Sequence, residues 1–129
     1  MNICPWRRAC PPPAGAGIPP ERITVTSGDT SLIPFGIGTF ASRSAVTAGT
    51  AVGVAAGRLR EKVLAVAGEL LEASPDDLEI VEDGVASRDV HDQSVTFAEI
   101  HAAATPGPRS RLPAGLEPGL TVEYYFVPP

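Results

Sequence analysis

The amino-acid sequence predicts an α+β fold, and three local patterns support that fold class. Apolar residues recur at alternating four- and three-residue steps from Val52 to Leu70, which is the spacing of one helix face. Asp83-Gly84 separates two short runs rich in branched apolar residues, a strong signal for a β-hairpin. Thr96 is followed three residues later by Glu99, the pattern of a capping box at the start of a second helix.

These patterns set the order of the remaining elements along the chain. The predicted elements are a strand at Arg22–Thr26, a glycine-rich loop, one long helix from about Ser44 to Glu72, a β-hairpin with strands Leu78–Glu82 and Val85–Ser87, a short helix from Thr96, and a final strand at Leu120–Val127. Residues 105–119 contain four prolines and three glycines, which predicts an extended loop. Residues 1–16 are predicted to be a disordered leader and residues 17–129 a partial domain.

Composition and charge exclude several classes of function. A net charge of −5 argues against a nucleic acid or an anionic membrane as the general partner, because both require a basic surface. The uncharged run from Ser44 to Gly57 is too short to span a bilayer. Cys4 and Cys10 stand alone and no signal peptide precedes them, so we expect a cytoplasmic protein without a disulfide or a cysteine metal site.

The loop before the long helix concentrates residue types that bind anions. Within nine positions it holds two glycines, three hydroxyl residues and one arginine: Gly36, Gly38, Thr39, Ser42, Arg43 and Ser44. Glycines let the backbone approach a ligand, and the positive end of a helix favours negative charge. The alternative is an ordinary helix entry, in which Ser42 or Ser44 is the N-cap and the glycines form a turn.

Residues for catalysis or metal binding are not evident. His91 and His101 have no second ligand at a metal spacing, and Glu99 is explained by the capping box, so no catalytic or metal-binding residue is assigned. Gly49, Gly53 and Gly57 recur every four residues on one face of the long helix. Because glycine weakens a helix, this face is predicted to pack closely against protein.

A family resemblance adds to this interpretation. The stretch PPERITVTSGDTSLIPFGIGTFASRS, followed by an Ala/Gly-rich helix ending in LREK, resembles the molybdopterin-binding large subunit of the xanthine dehydrogenase family. It is most similar to the aerobic carbon-monoxide-dehydrogenase type. The resemblance continues through LLEASPDDLEIVEDG, VTFAEIHAAA and LPAGLEPGLTVEYYF, so it covers the chain from about Gly17 onward.

The resemblance implies an oxidoreductase that acts on a small carbonyl, a heterocycle or carbon monoxide. The implied cofactor is a molybdenum-pyranopterin dinucleotide, in its molybdopterin cytosine dinucleotide form. The residues that match the cofactor-binding motif are Gly38, Thr39, Phe40, Ala41, Ser42, Arg43 and Ser44. The implied partners are the remainder of the large subunit and the Fe–S and FAD subunits.

The sequence also departs from the family pattern. Residues 1–16 match nothing in it, and both a Gly-Gln-Gly-His-type cofactor loop and a C-terminal glutamate that acts as general base are missing. We therefore expect an internal fragment with an incomplete cofactor site, inactive in isolation, whose leader comes from a shifted reading frame or a mis-assigned start. The alternative is a truncated, non-catalytic product or an interaction module.

Overall fold

The structure is a computed structural model that describes residues 18–26, 28–32, 36, 38, 40–90 and 92–127. The predicted leader, both cysteines, Thr39 and His91 lie outside the described residues. In the described part, two α-helices accompany a three-stranded antiparallel sheet of order β1-β2-β3, which is an α+β arrangement. No helix in these ranges has the length and apolar character needed to cross a membrane.

Helix α1 (Arg43–Leu71) has 29 residues and confirms the predicted long helix to within one residue at each end. At 1.5 Å per residue it is roughly 44 Å long. It ends where Glu72 takes a left-handed conformation, with φ of 52°. The Ala73 amide then donates a hydrogen bond to the Gly68 carbonyl at 3.1 Å. A Cβ on Gly68 would lie 2.9 Å from the Ala73 carbonyl oxygen, so glycine allows this tight end.

The hairpin is present, but its turn lies one residue earlier in the chain than predicted. Strand β1 (Leu78–Val81) pairs with β2 (Gly84–Ser87), and Val81 is the partner of Gly84. The two turn residues are therefore Glu82 and Asp83, and the prediction of Asp83-Gly84 as the turn is wrong. Gly84 is required inside the strand instead, because a Cβ at that position would collide with the Val95 carbonyl oxygen.

Strand β3 (Ser94–Thr96) was not predicted from the sequence. It pairs antiparallel with β2, placing Val85 opposite Val95, and three residues are too few to show a strand period. It leads directly into helix α2 (Phe97–Ala104), where the predicted capping box is confirmed. The Thr96 hydroxyl accepts a hydrogen bond from the Glu99 amide at 3.3 Å, and the Glu99 carboxylate accepts one from the Thr96 amide at 2.9 Å.

The hydrophobic core lies between the second half of α1, the sheet and α2. Its buried residues are Val63, Val66, Ala67, Leu78, Val85, Val95, Ile100, Ala103 and Ala104. The helical stripe predicted from Val52 to Leu70 is therefore buried only in its later part, since the Val52 side chain is 57% exposed. No described residue packs a core against the first half of α1.

Two predicted strands are not formed among the described residues. A 3-10 helix occupies Pro20–Arg22, and residues 23–26 have no strand partner. Residues 121–127 do alternate between exposed and half-buried side chains, but they also lack a partner strand. Alternation predicts which side chains are buried, whereas a strand also needs a neighbouring chain segment to complete its hydrogen bonds.

The proline-rich segment before this end is a loop, as predicted, and it is held against α2. The Arg111 amide donates to the Ala103 carbonyl at 2.9 Å, and the Gly119 amide donates to the Ala104 carbonyl at 2.8 Å. The last carbonyls of a helix have no partner within the helix, so these bonds satisfy them. They also fix the course of the chain from α2 back toward α1.

Candidate anion-binding site at the start of the long helix

A pocket of about 220 Å³ lies at the N-terminus of α1. It is lined by Gly38, Phe40, Arg43, Ser44 and Thr47. Four of the seven residues predicted for the site are therefore brought together. Ala41 and Ser42 form the turn between Phe40 and the helix, while Thr39 lies outside the described residues.

The backbone at this turn is held in a conformation that most residues avoid. Ala41 has φ of 48° and Ser42 has φ of 59°, both in the left-handed region, and Gly38 has φ of 80°. The turn is closed by the Arg43 amide, which donates to the Phe40 carbonyl at 2.9 Å. Left-handed conformations of non-glycine residues cost about 1–3 kcal/mol each and are concentrated at ligand-binding and active sites. Ala41 and Ser42 are the only two successive non-glycine residues with positive φ among the described residues.

The serines do not act as ordinary helix caps. Ser42 occupies the N-cap position, but its side chain makes no capping hydrogen bond. Ser44 lies within the first turn of α1 and lines the pocket. The described geometry therefore does not match the alternative in which Ser42 or Ser44 is an ordinary side-chain N-cap.

Electrostatics at this helix start favour an anion. The first turn of α1 contains no acidic residue, and its first residue is Arg43. The positive end of the helix dipole adds to that charge within the first turn. Hydroxyl and guanidinium groups supply directed donors, so the pocket has the chemistry to hold a phosphate-like or other anionic group.

Thr47 is a pocket residue that the sequence reasoning missed. Its hydroxyl donates to the Arg43 carbonyl at 2.9 Å, which fixes its side chain on the pocket side of the helix. The available signal was its spacing, because residues four apart lie on the same face of a helix. Thr47 stands four residues after Arg43.

Upstream of the pocket, Asp29 organises the corner that follows residues 23–26. Its carboxylate accepts hydrogen bonds from the Ser31 amide at 2.9 Å and from the Ser31 hydroxyl at 2.5 Å. These bonds, first the one from the hydroxyl, hold the pKa of Asp29 below its ordinary value. The carboxylate is thus an ionised part of the turn and not a proton donor at neutral pH.

Elsewhere the described residues offer no competing chemical site. His101 is exposed on α2, and the described part of the chain brings together no group of three His, Cys, Asp or Glu side chains suited to a metal ion. The close packing predicted for Gly49, Gly53 and Gly57 is not seen within the described ranges. No described atom outside the helix's own turns lies within 4 Å of a Cβ placed on any of them.

Comparison with known proteins decides the family. The profile of the molybdopterin cofactor-binding domain matches residues 15–128, which is most of the chain. The chain belongs to this family. The resemblance to the molybdopterin-binding large subunits of the xanthine dehydrogenase and carbon monoxide dehydrogenase family is thereby confirmed.

Curated relatives of the molybdopterin-binding domain include large subunits of two named enzymes. The carbon monoxide dehydrogenase large chain of Hydrogenophaga pseudoflava is 40% identical over 113 residues, covering 88% of this chain and 14% of that protein. The nicotine 6-hydroxylase large subunit of Paenarthrobacter nicotinovorans is 43% identical over 105 residues, covering 81% of this chain and 13% of that protein. The chain therefore spans about one seventh of the length of these relatives.

A solved structure has the same arrangement. The crystal structure of the Cu,Mo-CO dehydrogenase in its carbon monoxide reduced state matches with a TM-score of 0.67 and 36% sequence identity. The match covers 91% of this chain and 14% of that chain. At this identity the likeness extends to the sequence as well as to the fold.

Proposed function

We propose that this chain forms part of the large subunit of a molybdenum hydroxylase, in which residues 38–44 hold part of a molybdenum-pyranopterin dinucleotide. The single observation that carries the proposal is the pocket at the start of α1. In a member of the molybdopterin cofactor-binding family, its lining includes Gly38, Phe40, Arg43 and Ser44 from the predicted motif. We infer that the cytosine dinucleotide is the form bound.

The chemistry and size of the pocket fit a portion of such a cofactor. Arg43 and Ser44 line the pocket with a cationic and a hydroxyl group that suit an anion such as a phosphate. Pockets that enclose a whole small molecule are about 300–1,000 Å³, so about 220 Å³ accommodates only one part of a dinucleotide. The remaining contacts would come from the rest of the large subunit.

In this proposal the cofactor and the protein have separate roles. The bound cofactor supplies the electron and oxygen transfer chemistry, and the protein supplies binding and orientation. In this proposal Arg43 and the helix N-terminus neutralise negative charge, while the strained turn at Ala41 and Ser42 aims backbone groups at the ligand. The proposed substrates are a small carbonyl, a heterocycle or carbon monoxide, with electrons passing to Fe–S and FAD subunits in the cytoplasm.

A chimera tests the proposal. Residues 15–128 replace the matching segment of the Hydrogenophaga pseudoflava carbon monoxide dehydrogenase large chain, and molybdenum and pterin are measured in the purified protein. We expect the chimera to retain both. Changing Thr39, Ser42 and Ser44 together to alanine should reduce molybdenum content at least tenfold, because three directed donors to one charged ligand each contribute about 1.5–3 kcal/mol.

The matched control changes three exposed hydroxyl residues outside the pocket, Thr50, Ser94 and Ser110, to alanine. This variant should keep its cofactor. A chimera that does not accumulate as a soluble subunit would count against a place in a large subunit. Full molybdenum in the triple variant of the loop would show that the loop has been wrongly assigned.

A further inference from the structure

Residues 121–127 have the composition and the course of a β-strand, although no described segment pairs with them. Six of the seven residues of TVEYYFV are β-branched or aromatic, the types most enriched in strands. The backbone runs from Thr121 to Val127 without a turn or a bend, and exposed side chains alternate with half-buried ones. Alternation of period two is the pattern of a strand that has one covered face.

The covered face of this segment is held against the rest of the chain. Its half-buried side chains are those of Val122, Tyr124 and Phe126. The guanidinium of Arg58, on α1, lies 4.8 Å from the centre of the Tyr124 ring. The preceding residue, Leu120, packs against the hydrophobic core. Because these contacts fix which side chains face inward, they also fix the two directions in which the backbone edges of the segment point.

The backbone groups along these edges are unpaired. No amide or carbonyl of residues 121–127 makes a hydrogen bond with another described residue, whereas the Gly119 amide just before them donates to the Ala104 carbonyl. An open strand edge is a template for another strand, and backbone groups that become covered by protein are almost always hydrogen-bonded. On the outer face Tyr125 and Val127 are each 82% exposed, which leaves large apolar groups uncovered.

We infer that residues 121–127 form one strand of a larger β-sheet, whose neighbouring strand belongs to the polypeptide that completes the large subunit. The inference rests on the proposed function. A second strand is the partner that satisfies amides and carbonyls at strand spacing in series, and its own side chains would pair with Tyr125 and Val127. The family profile includes this segment, and the relatives are about seven times as long as the part they share with this chain.

Hydrogen–deuterium exchange read by mass spectrometry tests the pairing. It compares the isolated 129-residue chain with the chimera in the Hydrogenophaga pseudoflava carbon monoxide dehydrogenase large chain. Amides that enter a stable ladder exchange only when it opens, so peptides that cover residues 121–127 should exchange about a hundredfold more slowly in the chimera. Peptides from β2 are the internal reference, because its residues are paired with β1 and β3 in this chain alone and should be protected in both proteins.

Proline variants separate strand pairing from simple burial. Glu123→Pro and Tyr124→Pro each remove one backbone donor, and successive amides of a strand point to opposite edges, so the pair covers both edges. Glu123→Ala and Tyr124→Ala are the matched controls, since they change the side chain and keep the amide. In the chimera at least one proline variant should melt several degrees below its alanine control. In the isolated chain each proline variant should melt like its control.

The outcomes distinguish this inference from the proposed function. Rapid exchange of residues 121–127 in a chimera that retains its molybdenum overturns the strand and leaves the proposed function intact, whereas a chimera that does not accumulate counts against both. Slow exchange with proline variants that melt like their alanine controls shows a covered segment without strand pairing, which also overturns it. So does slow exchange in the isolated chain: a dependence on concentration identifies a second copy as the partner, and its absence a partner within this chain.

Discussion

At the scale of single residues, the turn before α1 shows a conflict between residue type and conformation. Ala41 and Ser42 adopt left-handed backbone angles that glycine would adopt without strain. The Ser42 side chain makes no capping hydrogen bond that would offset this strain. A sequence that keeps non-glycine residues there gains a stiffer loop, which is consistent with a ligand site prepared before binding.

Substitution of alanine by glycine at positions 41 and 45 tests this geometry. Ala41→Gly removes left-handed strain and should stabilise the chain by up to about 1 kcal/mol, the strain relieved being partly offset by a more flexible unfolded chain. Ala45→Gly, also exposed but inside α1, should destabilise it by about 1 kcal/mol. Urea unfolding followed by circular dichroism measures both. Equal destabilisation by the two changes would contradict the left-handed assignment at Ala41.

At the scale of secondary structure, local signals predicted the elements whose determinants are local. The capping box and the helical stripe depend on residues three or four apart, and both helices were predicted nearly to the residue. The hairpin turn was displaced because Gly84 serves the approach of β3, a contact between residues eleven apart. The strands at Arg22–Thr26 and Leu120–Val127 failed because pairing depends on a partner that a single segment cannot reveal.

The candidate site also has features that the sequence predicted and features that it did not. The glycine, hydroxyl and arginine pattern predicted Gly38, Arg43 and Ser44, and the family resemblance added Phe40; all four line the pocket. The left-handed turn was not predictable, because alanine and serine are not the residue types that signal positive φ.

Helix α2 gives a prediction about pH. Its capping-box carboxylate, Glu99, accepts hydrogen bonds from the amide and the hydroxyl of Thr96, first the amide, and these hold its pKa below the ordinary value of 4.5. A lowered folded-state pKa contributes stability that is present above pH 4.5 and is lost as the pH falls through the folded value. Glu99→Gln keeps an acceptor but cannot ionise. It should therefore lower the melting temperature at pH 7 and have little effect near pH 3.

Glu79→Gln is the matched control, because Glu79 is exposed on β1 and its side chain makes no hydrogen bond to the described residues. Its effect on the melting temperature should be small at both pH values. If the difference between wild type and Glu99→Gln were the same at pH 3 and pH 7, the ionised capping box would not be the cause.

At the scale of the whole molecule, the hydrophobic core covers only the second half of the long helix α1. The buried residues of α1 lie between Lys62 and Gly68, and in the nineteen helix residues before them only Leu59 packs against the core. Val46 is 60% exposed and Val52 is 57% exposed on this part, and Phe40 at the pocket is 58% exposed. Large exposed apolar residues that cluster along one element mark surfaces that associate with protein.

The isolated chain should therefore self-associate through the first half of α1. Under reducing conditions, analytical ultracentrifugation should show oligomers that dissociate on dilution, and a dye that reports apolar surface should bind. Val46→Lys with Val52→Lys should shift the chain toward the monomer and lower dye binding, because two charges would have to be desolvated at the contact. Gln93→Lys with Ser110→Lys, both exposed and outside α1, is the control for two added positive charges and should leave association largely unchanged. A wild-type chain that sediments as a monomer at all concentrations and binds no dye would show that this surface does not drive association.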